Sequence, residues 1–421
     1  MRRPLRVELA RGTAPAAALA IAGGTVWMLC VHTDAWAGRW AGLAGYFRVC
    51  LLILCALMVA AGTWQAGRER RRGMGELLAS TPRPAWQPLL VSWLSVALAG
   101  TAGAIAVLGG AAVLVGARAT YPGRDWWWVL LVGLLALGAA AAFGVLVGRL
   151  IPFRTVAPIA GVATYVGLGA ATYVDANRAT WLSPARDNLR AELLIPGELH
   201  LAQAAWLLAL TATLLVLAAR LRWTAVVAVA LTAAAAVPIV TGPPIGRLPA
   251  DPRAIEPVCT TDGPPVCVAR VNAFLLDDVA AAAQPLLARM AGIPGAPTRA
   301  ADSTTEPDGP VPEQADTVWL NLLEQPRVFG GLATVSELRA GFRQLTEPFC
   351  DDLRLAYSPE ADKAQKVALG WLLDEPQTLP DLPADRLRAL PPDQQRAWFG
   401  EYLAAARACD GKRLAELGAR L

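Results

Sequence analysis

The sequence predicts an all-α membrane protein of about seven transmembrane helices followed by a mainly helical soluble domain, and three observations carry this. The 421 residues are 55% apolar with a charged fraction of 17%, below the ~25% usual in soluble domains, and the mean hydropathy is +0.40. The apolar residues fall in runs long enough to cross a bilayer. Charge then divides the chain, with 20 Lys and Arg against 9 Asp and Glu in residues 1–241, net +11, and 18 against 25 in residues 242–421, net −7. Twelve of the 15 tryptophans lie in the first part, where indoles anchor helices at the membrane interface. The pI near 8.8 averages two unlike domains, so it does not argue for nucleic acid.

The chain opens with a basic head containing Arg2, Arg3, Arg6 and Arg11. Residues 13–31 follow without a charge, close to the ~20 residues a spanning helix needs. A cleaved signal peptide is the rival reading, because Ala35-Trp36-Ala37 has the small-x-small form of a processing site. The run is long for such a segment, and six further spans are expected at 46–64, 88–115, 126–147, 156–174, 201–219 and 223–240. Arg48, near the start of the second, is expected to snorkel to the interface.

With the N-terminus in the cytoplasm, 13 arginines fall on that side and 7 outside, which agrees with the positive-inside bias. Glycines crowd the helices and allow close helix approach. No acidic residue sits at mid-depth in a span, which weakens a proton- or sodium-driven carrier. The charged run Arg186–Leu194 reads as an interfacial helix on the outside. Residues 242–257 form a proline-rich linker, and 258–421 a mainly helical extracytoplasmic domain. Its helices are expected at 272–291, 314–323, 334–345, 362–372, 385–390 and 392–408, with a polar linker over 292–312.

Seven cysteines divide the same way. Cys30, Cys50 and Cys55 lie in or beside spans, and Cys259, Cys267, Cys350 and Cys409 lie in the tail. Four cysteines allow three pairings; Cys259 and Cys267 flank a Thr-Asp-Gly-Pro-Pro turn, which favours 259–267 with 350–409. Zinc would want paired CxxC spacing or histidines, and the chain's two histidines, His32 and His200, both lie outside the tail. A zinc peptidase of the HExxH kind is thereby excluded, and no metal site is assigned. Three lysines occur and none follows a GxxxxG, so no phosphate-binding loop is present. The doublets Asp277-Asp278, Asp351-Asp352 and Asp374-Glu375 read as solvated helix-end charges. No catalytic residue is assigned, and the chain is not read as an enzyme.

The most informative stretch joins the second and third spans: Arg68 to Pro82, RERRRGMGELLASTP. Its cluster of Arg68, Arg70, Arg71 and Arg72 holds it at the cytoplasmic surface, since charges cross hydrocarbon only at a cost of several kcal/mol each. Gly73–Ser80 reads as a short helix stopped by Thr81-Pro82. The stretch resembles the loop between the second and third membrane helices of type-2 ATP-binding-cassette (ABC) permeases. There a Glu-Arg pair, a glycine, a glutamate, a leucine pair and a Thr-Pro stop recur; Glu69, Arg70, Gly73, Glu76, Leu77, Leu78, Thr81 and Pro82 stand for them here. Met74 departs from the usual Thr or Ser and removes a helix cap, and Arg83-Pro84 also departs.

The family core usually counts six spans, so the seventh is an extension, and the Cys-x7-Cys opening of the tail is similar to tails on some actinobacterial permeases. The resemblance implies the multi-pass permease subunit of an ATP-driven exporter in the plasma membrane, N-terminus cytoplasmic and C-terminal domain extracytoplasmic. A separate cytoplasmic ATPase subunit would bind ATP and Mg and hold the Gly73–Ser80 helix in a groove. A second permease copy or paralogue would complete the pair, and this chain would need no cofactor. Leu77 and Leu78 would be apolar anchors, Glu76 a charge for a basic groove, and the arginine cluster a tether to anionic lipid.

The alternative is a membrane-anchored extracytoplasmic binding or interaction protein without transport activity. A membrane-embedded transferase would need a polar constellation at the outer face, and Asp175, Asp187, Glu192, Glu198 and His200 are scattered in sequence. The topology makes a direct prediction. Membrane-impermeant thiol reagents applied to intact cells should modify Cys259, Cys267, Cys350 and Cys409 only after reduction; ready labelling of these thiols from the cytoplasmic side alone would overturn the outside tail.

Overall fold

The computed structural model describes residues 2–72, 84, 86–173, 178–185, 190–242, 248–305, 316–322, 341–347, 358–373 and 384–420. The chain forms two compact units, Met1–Asp251 and Pro252–Leu421.

The first unit is a helical bundle. A short helix α1 (Arg2–Arg11) precedes α2 (Ala14–Val31), α3 (Trp40–Arg71), α4 (Trp86–Gly116), α5 (Trp126–Leu150), α6 (Val156–Tyr173), α7 (Gly197–Ala218) and α8 (Arg222–Thr241). Each of the seven expected spans falls on one of the helices α2 to α8. Among the described residues seven helices are long and apolar enough to cross a bilayer: α2, α3, α4, α5, α7, α8 and, in the second unit, the stretch Arg270–Met290. The apolar part of α6, Val156–Ala171, is shorter. At ~1.5 Å per residue the 18 residues of α6 still approach the ~30 Å of hydrocarbon.

Burial sorts these helices. Two-thirds of the apolar window of α3 (67%) and 61% of that of α5 are buried, against 6% for α8. Trp223, Val226, Val227, Val229 and Leu231 of α8 are all exposed, as side chains facing lipid tails are. The two inner helices meet along a seam of small residues. A Cβ on Gly62 would lie 2.6 Å from the Ala141 carbonyl oxygen, and one on Gly144 or Gly148 would overlap the carbonyl of Val59 or Thr63. Backbone therefore lies directly on backbone over two turns, the arrangement in which dispersion and weak Cα–H···O contacts replace the missing hydrophobic drive. Gly103 of α4 faces the Ala18 carbonyl of α2 in the same way.

Two expectations are corrected here. Arg48 does not snorkel. It is fully buried, with Nε donating to the Pro184 carbonyl at 3.0 Å and Nη2 to that of Ser183 at 3.4 Å. Nor is the described part of Arg186–Leu194 helical. Leu193 bridges Ala250, Leu194 N donates to Pro249 O and Asp251 N to Glu192 O, so this segment is spent on an extended pairing. A short 3-10 turn, Arg178–Leu182, precedes it. The same pairing assigns Leu248–Asp251 of the expected linker to the bundle, where Leu248 packs with Trp181, Leu199 and Ile239.

The second unit is mainly helical but built on a small mixed sheet, β1 (Pro257–Cys259), β2 (Val266–Ala269), β3 (Arg299–Asp302) and β4 (Thr317–Leu320), in that spatial order. β1 and β2 are antiparallel; β2, β3 and β4 run parallel. A 3-10 turn (Arg270–Leu275) and helix α9 (Leu276–Met290) form the crossover from β2 to β3. Arg270–Met290 is apolar enough to span a membrane, yet it carries Asp277, Asp278 and Arg289 and buries Val279, Ala283, Leu286, Leu287 and Met290, the one-sided pattern of a helix on a soluble core. Helices α10 (Pro359–Leu373), α11 (Ala384–Arg388), α12 (Pro392–Arg407) and α13 (Gly411–Ala419) complete the unit. Val266, Ala300, Val318, Val367, Trp371, Phe399, Tyr402 and Leu417 share its core. Burial, with the Glu347 carboxylate nearby, pushes the Tyr402 phenol up from its ordinary value, so it remains a donor to the Thr346 carbonyl.

One of the expected helices and the expected linker therefore change. Thr317–Leu320 is a strand inside the span read as helix 314–323, and Arg299–Asp302 is a central strand inside the span read as linker 292–312. Residues 341–344 are helical as expected and Leu345 is in a turn, residues 334–340 lie outside the described residues, and α13 was not anticipated.

The seam predicts a steep dependence on one atom. Gly144→Ala or Gly148→Ala should destabilise the bundle by about 1–3 kcal/mol, as overpacking does. Gly138→Ala in the same helix, where a Cβ would meet nothing within 4 Å, should be silent. Thermal unfolding of the detergent-solubilised chain, followed by loss of its monodisperse elution peak, measures the difference.

Candidate functional site

The bundle's two ends carry different chemistry. At one end α3 runs on into the arginine cluster. Its 32 residues at ~1.5 Å each exceed the ~30 Å of hydrocarbon, so its last turns project beyond it. Arg68 forms an ion pair with Glu8 of α1, whose carboxylate also accepts from the Gln65 amide. Arg70 Nη1 donates to the Arg149 carbonyl at the end of α5 at 3.0 Å, and Arg149 Nη1 donates in turn to the Ala218 carbonyl that ends α7, at 3.2 Å. Arg71 lies over the Trp64 ring, 4.8 Å from its centroid, and donates to the Trp64 carbonyl at 2.6 Å.

The logic of this chain of contacts is local. The last carbonyls of a helix have no partner within it and carry the negative end of its dipole. An arginine in the last turn of one helix reaches the last turn of the next, and so ties α3 to α5 and α5 to α7. Glu69 lies on α3 and Arg72 at its end. Gly73, Glu76, Leu77, Leu78, Thr81 and Pro82 lie outside the described residues.

The opposite end holds buried polar side chains drawn from three separated segments. Arg48 of α3, Glu192 of the segment before α7, and His200 and Gln203 of α7 are each at least 99% buried. Glu192 pairs with Arg190, Gln203 Nε2 donates to the Trp181 carbonyl at 2.8 Å, and His200 stacks against Trp128 with ring centroids 6.3 Å apart. Glu192 Oε2, His200 Nδ1 and Gln203 Oε1 find no hydrogen-bond partner among the described residues. Of the acidic candidates, Glu198 is exposed, and Asp175 and Asp187 lie outside the described residues. No local motif announces this cluster. The sequence signals were Arg48, a charge inside an apolar run, and Glu192 and His200, two of the scattered outer-face candidates that the fold buries; Gln203 gave none.

In the second unit Cys259 is bonded to Cys267. They face each other directly across β1 and β2, and the flanking Thr260 N to Val266 O bond makes theirs the non-hydrogen-bonded pair, where opposed residues come closest. Cys409 is disulfide-bonded, and Cys350 lies outside the described residues. Among the described residues no three His, Cys, Asp or Glu side chains are grouped to hold a metal. No family model matches the chain, and no curated protein or solved structure matches it either.

Removing the buried guanidinium tests the polar cluster. Arg48→Met strips two buried carbonyls of their donor and should cost about 2 kcal/mol or more, and Arg48→Lys, with one compact donor in place of a fork, should recover only part of it. The midpoint of thermal unfolding in detergent reads both.

Proposed function

We propose that the chain is the membrane permease subunit of an ATP-driven ABC exporter, coupled through residues 68–82 to a separate cytoplasmic ATPase. The observation that carries this reading is the sequence of that loop: Glu69-Arg70, Gly73, Glu76-Leu77-Leu78 and Thr81-Pro82 in the order and spacing of a permease coupling loop. The bundle offers a physical route for such coupling. The loop leaves from α3, whose Arg70 is bonded to α5, whose Arg149 is bonded to α7. A displacement of the loop is therefore shared at once by three helices. ATP and Mg would be held by the partner, and this chain's part is to receive a movement. A second permease subunit and the surrounding lipid would cover the exposed apolar faces of α2, α6 and α8.

One observation favours the alternative, a membrane-anchored binding protein: Pro252–Leu421 has its own core, sheet and disulfide and needs no transport step to account for it. The two readings separate on the loop. Glu76→Arg with Leu77→Asp should abolish co-purification of an ATPase with the tagged chain while membrane insertion is unchanged. Recovery of the ATPase undiminished, or of none with the unaltered chain, would count against the exporter.

A further inference from the structure

At the end of the bundle opposite the arginine cluster a half-enclosed pocket opens between α3, α5, α7 and the segment before α7. Ala41 and Gly45 line it from α3, Asp125, Trp126 and Val129 from the start of α5, and His200 from α7; Arg124, Arg190, Leu193 and Ile195 complete it. It has room for about two to three ordered waters. That is room for a small tetrahedral group.

The donors around this space are of one kind. Arg124 brings an exposed guanidinium. Arg190 brings another, fixed from behind by its pair with the wholly buried Glu192. The 25-residue helix α5 begins here, and its Asp125 cap makes no side-chain bond to the first turn, so the positive end of the helix faces the pocket. His200 is 1% exposed, and its Nδ1 has no partner among the described residues. His200 therefore closes the inner wall of the pocket. The walls are otherwise apolar, through Ala41, Val129, Leu193 and Ile195.

The pocket also sits among stacked tryptophans, Trp40 on Trp126 and Trp127 on Trp128. Such belts mark the headgroup level of a bilayer, where phosphate diesters and monoesters are concentrated. Asp125 and Glu192 bring the charge of the site close to neutral, so directed N–H donors rather than net charge must do the recognising. Forked guanidinium groups suit a phosphoryl group in that role.

We infer that this pocket binds a phosphate group, held by Arg124, Arg190 and the first turn of α5. It does not depend on the exporter reading, since nothing in it requires a partner ATPase. The group comes either from an amphiphile in the adjoining leaflet or from free phosphate.

Calorimetric titration of the detergent-purified full chain tests it with three probes: inorganic phosphate, dihexanoyl phosphatidic acid below its micellar concentration, and dihexanoylglycerol, which lacks the phosphate. The expected result is binding of phosphatidic acid, with no binding of dihexanoylglycerol. Binding of phosphatidic acid alone assigns the source to lipid, and binding of inorganic phosphate as well assigns it to the phosphoryl group itself; both support the site. Arg124→Gln, on an exposed side chain, should weaken either by about tenfold or more, the worth of one charge-assisted hydrogen bond. Arg190→Gln combined with Glu192→Gln, which leaves no unpaired buried charge, should do the same, with elution behaviour confirming that both variants fold. No binding of either phosphate probe, equal binding of dihexanoylglycerol, or unchanged affinity in both variants overturns the proposal.

Discussion

The structure of the bundle depends on the contact between α3 and α5, where Gly62, Gly144 and Gly148 let backbone rest on backbone. Lipid tails are as apolar as leucine, so burying leucine against another helix gains little. What remains is close packing, which needs small residues in register. Placing Gly144 against Val59 and Gly148 against Thr63 fixes the axial offset of the two helices. The ends of the pair follow from that offset: Arg149, one residue past Gly148, lies within reach of Arg70, seven residues past Thr63. A one-turn slip would move the partners ~5.4 Å apart and remove the bond.

What was legible in the sequence follows from how local each signal is. Hydropathy is a sum over ~20 adjacent residues, and the expected spans accordingly fall on α2 to α8, although α3 begins six residues before its span and ends seven beyond it. The pairing of Cys259 with Cys267 was legible because a turn of known residues separates them. The buried polar cluster was not, because its members come from positions 48, 192, 200 and 203 and meet only through tertiary packing. Arg48 shows the limit well. Charge inside an apolar run signals either an escape to the interface or a buried partner, and the carbonyls that receive it belong to residues more than a hundred positions away.

The second unit repeats the lesson with strands. Arg299–Asp302, Arg-Ala-Ala-Asp, has poor β-propensity, yet it is a central strand because β2 and β4 bracket it. Its Asp302, fully buried, accepts from the Ala269 amide, the Asn272 side chain and the Thr304 amide. One carboxylate thus ties the ends of β2 and β3 to the turns that follow them. Strands of three or four residues are too short to display an alternation, and the sheet was invisible to pattern for that reason. The helices were visible because α9, α10 and α12 each span three or more turns with one buried face.

The two ends of the bundle are joined by a single element. α3 carries Arg48 near its start and Arg68, Arg70 and Arg71 at its finish, and it is the most buried of the spanning helices. A close-packed helix does not deform gradually; it moves as a body or changes register. Residues 73–83 begin where α3 stops, so whatever holds them acts on the helix that also anchors Ser183 and Pro184 at the far end. Rotation of α3 about its axis is opposed by the glycine seam, where carbonyls would collide with neighbouring backbone. Tilting about the seam is opposed as well, since beyond it Phe47 and Leu51 pack on Gly133 of α5 and Trp40 stacks on Trp126. The contact between α3 and α5 therefore continues from Trp40 on Trp126, through Phe47 and Leu51 on Gly133 and the glycine seam, to Arg70 on the Arg149 carbonyl, and a force applied to the end of α3 is passed to α5 along its whole length.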